Sequence, residues 1–291
     1  MYQTLNKYLV KTSGKVDSKE TLLLIHGWGM NSQVWEPVRE KLEENYKIIT
    51  VDLPGHGFNY TVKAINMQDI AELIIQQMPQ KCHIIGWSLG GLIAQLLAQR
   101  VPDQIQSMTL VATTPKFSQS QANDEKCWQH AMSHEILDNF AEQLKTDTLA
   151  TLKKFVALQF MGVKESKGIQ RGLIRKITEP QKTGQKWGGV LSTGINNTSI
   201  VSIPDQEALD LGLRMLKEAD FRKSAINVPE HWVFGGRDRL IPMEVINDLK
   251  YLRPNAQITL LENAGHAPFM THPDEFLAHI MSVIDNQPDG L

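Results

Sequence analysis

The sequence predicts an α/β protein: a mostly parallel central sheet flanked by helices, with a helical cap inserted. Three observations predict it. Apolar runs of strand length recur at residues 22–26, 48–52, 83–86, 108–112, 230–235 and 258–261, most of them continuous, as in strands buried on both faces. Segments of helical period separate several of these runs, at 34–42, 67–78, 89–100, 243–252 and 273–284. From residue 114 to about 227 the strand signal stops and helix-like pieces follow instead, at 124–145, 148–160, 167–177 and 205–217. The expected division is a core of residues 1–114 and 228–291 with a cap of residues 115–227. Within the cap, 179–203 is rich in Gly, Thr, Ser and Asn with little periodicity, and reads as an extended loop.

The first run leads into His26-Gly27-Trp28-Gly29, whose glycines let the backbone turn an N–H inward. The second ends in Asp52-Leu53-Pro54-Gly55-His56-Gly57, a turn-shaping segment. The third enters Gly86-Trp87-Ser88-Leu89-Gly90, which places a serine where a strand turns sharply into a helix. Such a turn brings backbone so close that small residues are needed on both sides, and it leaves the hydroxyl at a helix N-terminus, where negative charge is favoured. The plain alternative is a glycine-rich turn between strand and helix.

A serine hydroxyl is a poor nucleophile until a base takes its proton. Of nine histidines, His266 follows the last predicted strand in Asn263-Ala264-Gly265-His266-Ala267-Pro268. Loops after strand C-termini share one edge of a parallel sheet, so His266 can meet Ser88 there. His130, His134, His272 and His279 fall on helices or their flanks, and His56 is the stronger competitor. His26 reads as a support that ties its loop by hydrogen bonds. The base needs a carboxylate to hold its tautomer. Asp238, after the run 230–235, fills that role, although Arg237 and Arg239 beside it also allow a surface ion pair. The oxyanion of a tetrahedral intermediate needs two N–H donors, expected from Leu89 and from Trp28, whose indole could otherwise be a packed aromatic.

The 291 residues are 42% hydrophobic, with a formal net charge of −2, so no nucleic-acid or membrane-surface partner is expected. Two cysteines, Cys82 and Cys127, make neither a disulfide framework nor a metal cluster. No zinc-ligand spacing, phosphate loop or dinucleotide fingerprint occurs, so no cofactor is expected. Residues 1–20 are polar and the run 22–25 is too short for a signal core or a membrane span, which points to a cytoplasmic protein, expected as a monomer.

With the elbow, the early His-Gly loop, the late Asp turn and the late His loop in this order, the sequence resembles the α/β-hydrolase superfamily over nearly its whole length. More narrowly, Leu24-Ile25-His26-Gly27-Trp28-Gly29-Met30-Asn31, Val51-Asp52-Leu53-Pro54-Gly55-His56-Gly57, Gly86-Trp87-Ser88-Leu89-Gly90-Gly91-Leu92 and Ala264-Gly265-His266-Ala267-Pro268-Phe269 resemble the pimeloyl-acyl-carrier-protein methyl ester esterases of biotin synthesis. The resemblance implies hydrolysis of a methyl ester on a pimeloyl chain held by acyl-carrier protein, releasing methanol. It implies Ser88, Asp238 and His266 as catalytic residues, and Trp28 and Leu89 as oxyanion donors. Trp28, Ser88, Leu89, His266 and the cap segment Phe155, Val156, Ala157, Leu158 and Gln159 would contact substrate. Lys154, Lys167 and Arg171 match basic positions of the family's cap, with lysine for arginine at two of them, and would dock the acidic carrier; a solvated helix face is the plain alternative for these and for Lys153, Lys164, Arg175 and Lys176. Two departures stand out: Phe58-Asn59 where many relatives place a serine, and a longer segment at 179–203. The same triad also serves broad carboxylesterases acting on small esters, thioesterases and carbon–carbon bond hydrolases, and the fold can carry a non-catalytic ligand-binding protein.

Overall fold

The computed structural model describes residues 10–15, 17–120, 128–178 and 203–285. Within them, strands β1 (Val10–Gly14), β2 (Thr21–Ile25), β3 (Lys47–Val51), β4 (Cys82–Trp87), β5 (Ile105–Val111), β6 (Glu230–Gly235) and β7 (Gln257–Leu261) form one sheet in the order β1-β3-β2-β4-β5-β6-β7. Neighbours are parallel except β1, which runs antiparallel to β3. The six apolar runs are all strands. β1 carried no apolar signal because it is an edge strand, Val-Lys-Thr-Ser-Gly, half-buried along its whole length, and needs no second buried face.

The helices are α1 (Glu36–Glu43), α2 (Met67–Ile75), α3 (Leu89–Arg100), α4 (His134–Thr146), α5 (Thr148–Gln159), α6 (Lys167–Thr178), α7 (Gln206–Glu218), α8 (Val245–Leu252), α9 (Pro268–Thr271) and α10 (Pro273–Asp285). α2 starts where the Asn66 side chain accepts the Asp69 N–H, and α5 where the Asp147 side chain accepts the Ala150 N–H. α4 begins well after the predicted residue 124. Residues 128–133 are not helical, because Trp128 donates its indole N–H to the Lys116 carbonyl and Met132 exchanges backbone bonds with the 117–119 segment. Ser133 then caps the helix. Residues 121–127, with Cys127, and 179–202, nearly all of the expected extended loop, lie outside the described residues.

α3 follows β4 and is almost wholly buried from Leu89 to Ala98. Burying Leu92, Ile93, Leu96 and Leu97 contributes about 1.5–3 kcal/mol each relative to exposure. That burial pins the helix N-terminus against the sheet at the central strand. α4, α5, α6 and α7 fall between β5 and β6 and pack on one another, with α7 also against α3. No helix among the described residues is long and apolar enough to cross a membrane.

Candidate active site

Every loop singled out in the sequence leaves the C-terminal end of a strand: 26–30 after β2, Asp52 after β3, Ser88 after β4, Asp238 after β6 and His266 after β7. Parallel pairing puts those ends on one edge of the sheet. Ser88 sits between β4 and α3 with φ 54° and ψ −116°, a left-handed conformation unusual for a residue with a side chain. The tight turn is possible because of its neighbours. A Cβ at Gly86 would stand 2.5 Å from the Gly90 carbonyl oxygen, and one at Gly90 would run into the carbonyls of Ile25 and His26. The early loop lies against the elbow, since a Cβ at Gly27 would come within 3.2 Å of the Ser88 Cβ.

His266 Nε2 is 3.0 Å from Ser88 Oγ, and His266 Nδ1 is 2.7 Å from Asp238 Oδ2. Asp238 Oδ1 accepts the N–H groups of Leu240 at 2.7 Å and Ile241 at 3.1 Å. A carboxylate engaged this way accepts from Nδ1–H and leaves the lone pair of Nε2 facing the serine hydroxyl. The backbone of His266 is held as well: its carbonyl accepts the Trp87 indole N–H at 2.7 Å, and its N–H donates to the Gln159 carbonyl at 3.1 Å. All three triad residues are buried. The ion pair that Arg237 and Arg239 suggested for Asp238 does not form among the described residues. Arg237 donates instead to the Gly162 carbonyl and to Asn263 Oδ1, bridging the α5–α6 turn to the histidine loop.

The model of the family described as alpha/beta hydrolase fold matches residues 20–273. The chain belongs to the alpha/beta hydrolase fold family. It is 35% identical over 266 residues to a pimeloyl-acyl-carrier-protein methyl ester esterase of Aliivibrio fischeri (strain ATCC 700601 / ES114), covering 91% of this chain and 93% of that one. The namesake of Aliivibrio salmonicida (strain LFI1238) is also 35% identical, over 93% of this chain and 94% of its own. Among solved structures, a hydrolase from Oleispira antarctica superposes with a TM-score of 0.76 at 18% identity, covering 97% of this chain and 96% of that chain.

Around the triad of this alpha/beta hydrolase, the early loop is fastened by side chains. His26 donates from Nδ1 to the Gly27 carbonyl at 2.8 Å and accepts the Leu53 N–H on Nε2 at 2.9 Å, so it is neutral, and burial lowers its pKa. Asp52 accepts the N–H of Ser32 at 2.6 Å and of Phe58 at 2.9 Å, tying two loops together. Burial alone raises its pKa, but the Lys11 ammonium and those two N–H groups together bring it below the usual value. Phe58 packs under the Lys11 ammonium at 3.5 Å and Asn59 donates to the Asp52 carbonyl, so this departure is accommodated inside the loop. His56 bonds to the Pro54 carbonyl and its ring sits 5.3 Å from that of His26, tilted by 52°, rather than engaging Ser88. Cys82 is buried, which pushes its thiol up to about 12 and leaves it inert.

Trp28 is fully buried, with its ring edge-on to Phe155 of α5 at 4.8 Å. Among the described residues no acceptor engages the backbone N–H of Trp28 or of Leu89. Phe155, Val156 and Gln159 lie on the buried face of α5, whereas Ala157 is exposed and Leu158 half-buried. Among the described residues, both amide atoms of Gln159 are buried without a hydrogen-bond partner. Lys154, Lys167 and Arg171 are exposed on α5 and α6, as are Lys153 and Arg175, and Lys164 is exposed in the turn between the two helices. Lys176 is drawn away to Glu36 of the core. Sequence reasoning missed the contacts of α7 on this site; the signal was a lone glycine, Gly212, among good helix formers.

Proposed function

We propose that the protein is a serine esterase that hydrolyses the methyl ester of a pimeloyl chain carried by acyl-carrier protein. The observation that carries the reading is the continuous Ser88, His266 and Asp238 hydrogen-bond chain, at 3.0 and 2.7 Å, beneath cap helices. The relatives' name supplies the substrate. Ser88 Oγ attacks the ester carbonyl while its proton passes to His266 Nε2. The oxyanion accepts from the N–H groups of Trp28 and Leu89. The intermediate collapses, methoxide takes the proton from His266 and leaves as methanol, and the acyl group stays on Ser88. Water, deprotonated by His266, then cleaves the acyl-enzyme and returns the proton to Ser88. Asp238 does not exchange its charge; it keeps Nδ1 protonated and stabilises the imidazolium.

Phe155, Val156 and Trp28 supply the apolar wall for the acyl chain, with Ala157 and Leu158 completing the segment that the resemblance assigns to substrate. The partnerless amide of Gln159 offers one polar contact to it. Lys154, Lys167 and Arg171 form the docking face for the acidic carrier, on the outer side of residues 115–227, which act as a lid. The experiment is mass spectrometry of the carrier after incubation with its methyl pimeloyl thioester. Loss of the ester methyl with the thioester intact supports the reading. Loss of the whole acyl chain would make the enzyme a thioesterase, and no change beside rapid cleavage of generic esters would remove the carrier substrate.

A further inference from the structure

Cap helix α7 touches the two residues assigned as oxyanion donors, and does so at its one glycine. A Cβ on Gly212 would stand 2.5 Å from Trp28 Cδ1, 3.0 Å from Trp28 Nε1 and 3.3 Å from Leu89 Cδ2. One turn earlier on the same helix, the Leu209 carbonyl accepts the Trp28 indole N–H at 2.8 Å. The loop is roofed on its other side too: Gly29, at φ 70°, leaves room for Leu152 of α5, 2.6 Å from where a Cβ would be, and for Leu209. Glycine is the poorest helix former after proline, and α7 is otherwise built from Gln, Glu, Ala, Leu, Arg, Met and Lys with one aspartate, Asp210, after the N-cap Asp205. The position is explained by what fills the missing side chain's space, which is the indole.

We propose that α7 positions the oxyanion hole, with Gly212 and the Leu209 carbonyl as the positioning elements that fix where the N–H groups of Trp28 and Leu89 point. This rests on the reading of those N–H groups as oxyanion donors. The physical reason is leverage. The Trp28 side chain and its N–H belong to one residue, so an indole clamped at both its N–H and its Cδ1 edge restricts the rotation of the peptide that must face the oxyanion. Donors lower a barrier only when fixed before the charge develops. A helix lifted off the indole releases the 27–30 loop, while Ser88, His266 and Asp238 keep their own bonds to one another.

The test uses the full-length protein and p-nitrophenyl acetate, too small to require the lid's acyl wall or its docking face. Gly212→Ala is expected to lower kcat about tenfold with KM changed less than about twofold, and to weaken inhibition by a trifluoromethyl ketone by a similar factor, since that adduct needs the same donors. Trp28→Phe keeps an aromatic ring and removes the indole donor, so it lowers kcat in the same direction. Adding Gly212→Ala to it then costs little more, because the displaced indole edge is already gone. Gly172→Ala in α6, where a Cβ meets nothing within 4 Å, leaves kcat unchanged. Folded Gly212→Ala and Trp28→Phe proteins with wild-type kcat would overturn the proposal, and so would additive losses or losses confined to KM. Ser88→Ala separates the two readings: turnover persisting there overturns the serine mechanism itself, whereas its loss beside an active Gly212→Ala overturns only the role of α7.

Discussion

At Ser88 a residue with a side chain holds φ at 54°, a conformation that costs on the order of 1–3 kcal/mol and persists only because β4 and the buried α3 fix the chain on both sides. The strain aims Oγ at His266 Nε2, and Asp238 determines whether that nitrogen bears a lone pair. Asp238→Asn should therefore cost about 10³ to 10⁴ in kcat with little change in KM, as steady-state kinetics on a small ester would register. His56 gives a separate prediction. It is neutral and buried, and burial pushes its pKa down to about 4. A histidine whose folded pKa lies below its ordinary 6.5 lets the unfolded chain bind the proton first, so stability is lost as pH falls from 6.5 through 4. That loss is on the order of 3 kcal/mol. His231, also near 4, adds to the same slope. Melting followed between pH 7 and 4 should decline less steeply in His56→Asn than in wild type. The meeting of Ser88, Asp238 and His266 was legible in the sequence because each lies in the turn or loop that follows an apolar strand run, which fixes its edge of the sheet. The tie from the Gln159 carbonyl to the His266 N–H was not, since it joins backbone atoms that no side-chain pattern records.

At the scale of elements, glycines separate into those that hold a close approach and those that do not. Gly86 faces backbone that cannot yield, so Gly86→Ala is expected to destabilise the fold by several kcal/mol, enough to lower soluble yield. A Cβ at Gly172 in α6 meets none of the described residues within 4 Å, so alanine there should raise stability by roughly 0.5–1 kcal/mol in a denaturant titration. Continuous apolar runs announced β2 to β6 because strands covered on both faces need them; β7, the half-buried opposite edge, was announced by its own run Ile258–Leu261. β1 escaped notice for the converse reason. The true start of α4 was hidden because polar residues before Ser133 fit a helical period, while Trp128 and Met132 bind instead to the 116–119 backbone. Gly212 is, in sequence, one glycine in a helical segment, and the indole of Trp28 that fills its missing side chain's space belongs to a loop more than 180 residues earlier.

Across the whole molecule, loops at one edge of the sheet bring Ser88, His266 and Asp238 together, and the helices between β5 and β6 present exposed Lys154, Lys167 and Arg171. If that outer face docks an acidic carrier, reversing charge at Lys154, Lys167 and Arg171 together should lower kcat/KM on the carrier-bound ester by ten-fold or more, an effect that weakens as salt is added. The same variant should hydrolyse p-nitrophenyl acetate at the wild-type rate. The central claim is that ester cleavage runs through Ser88. Its most direct measurement is the initial rate of methyl ester hydrolysis on the carrier-bound pimeloyl chain by wild-type and Ser88→Ala proteins of matched melting temperature. Turnover by the wild type and a loss of at least about 10³-fold in Ser88→Ala are predicted; comparable rates from the two proteins would contradict the account.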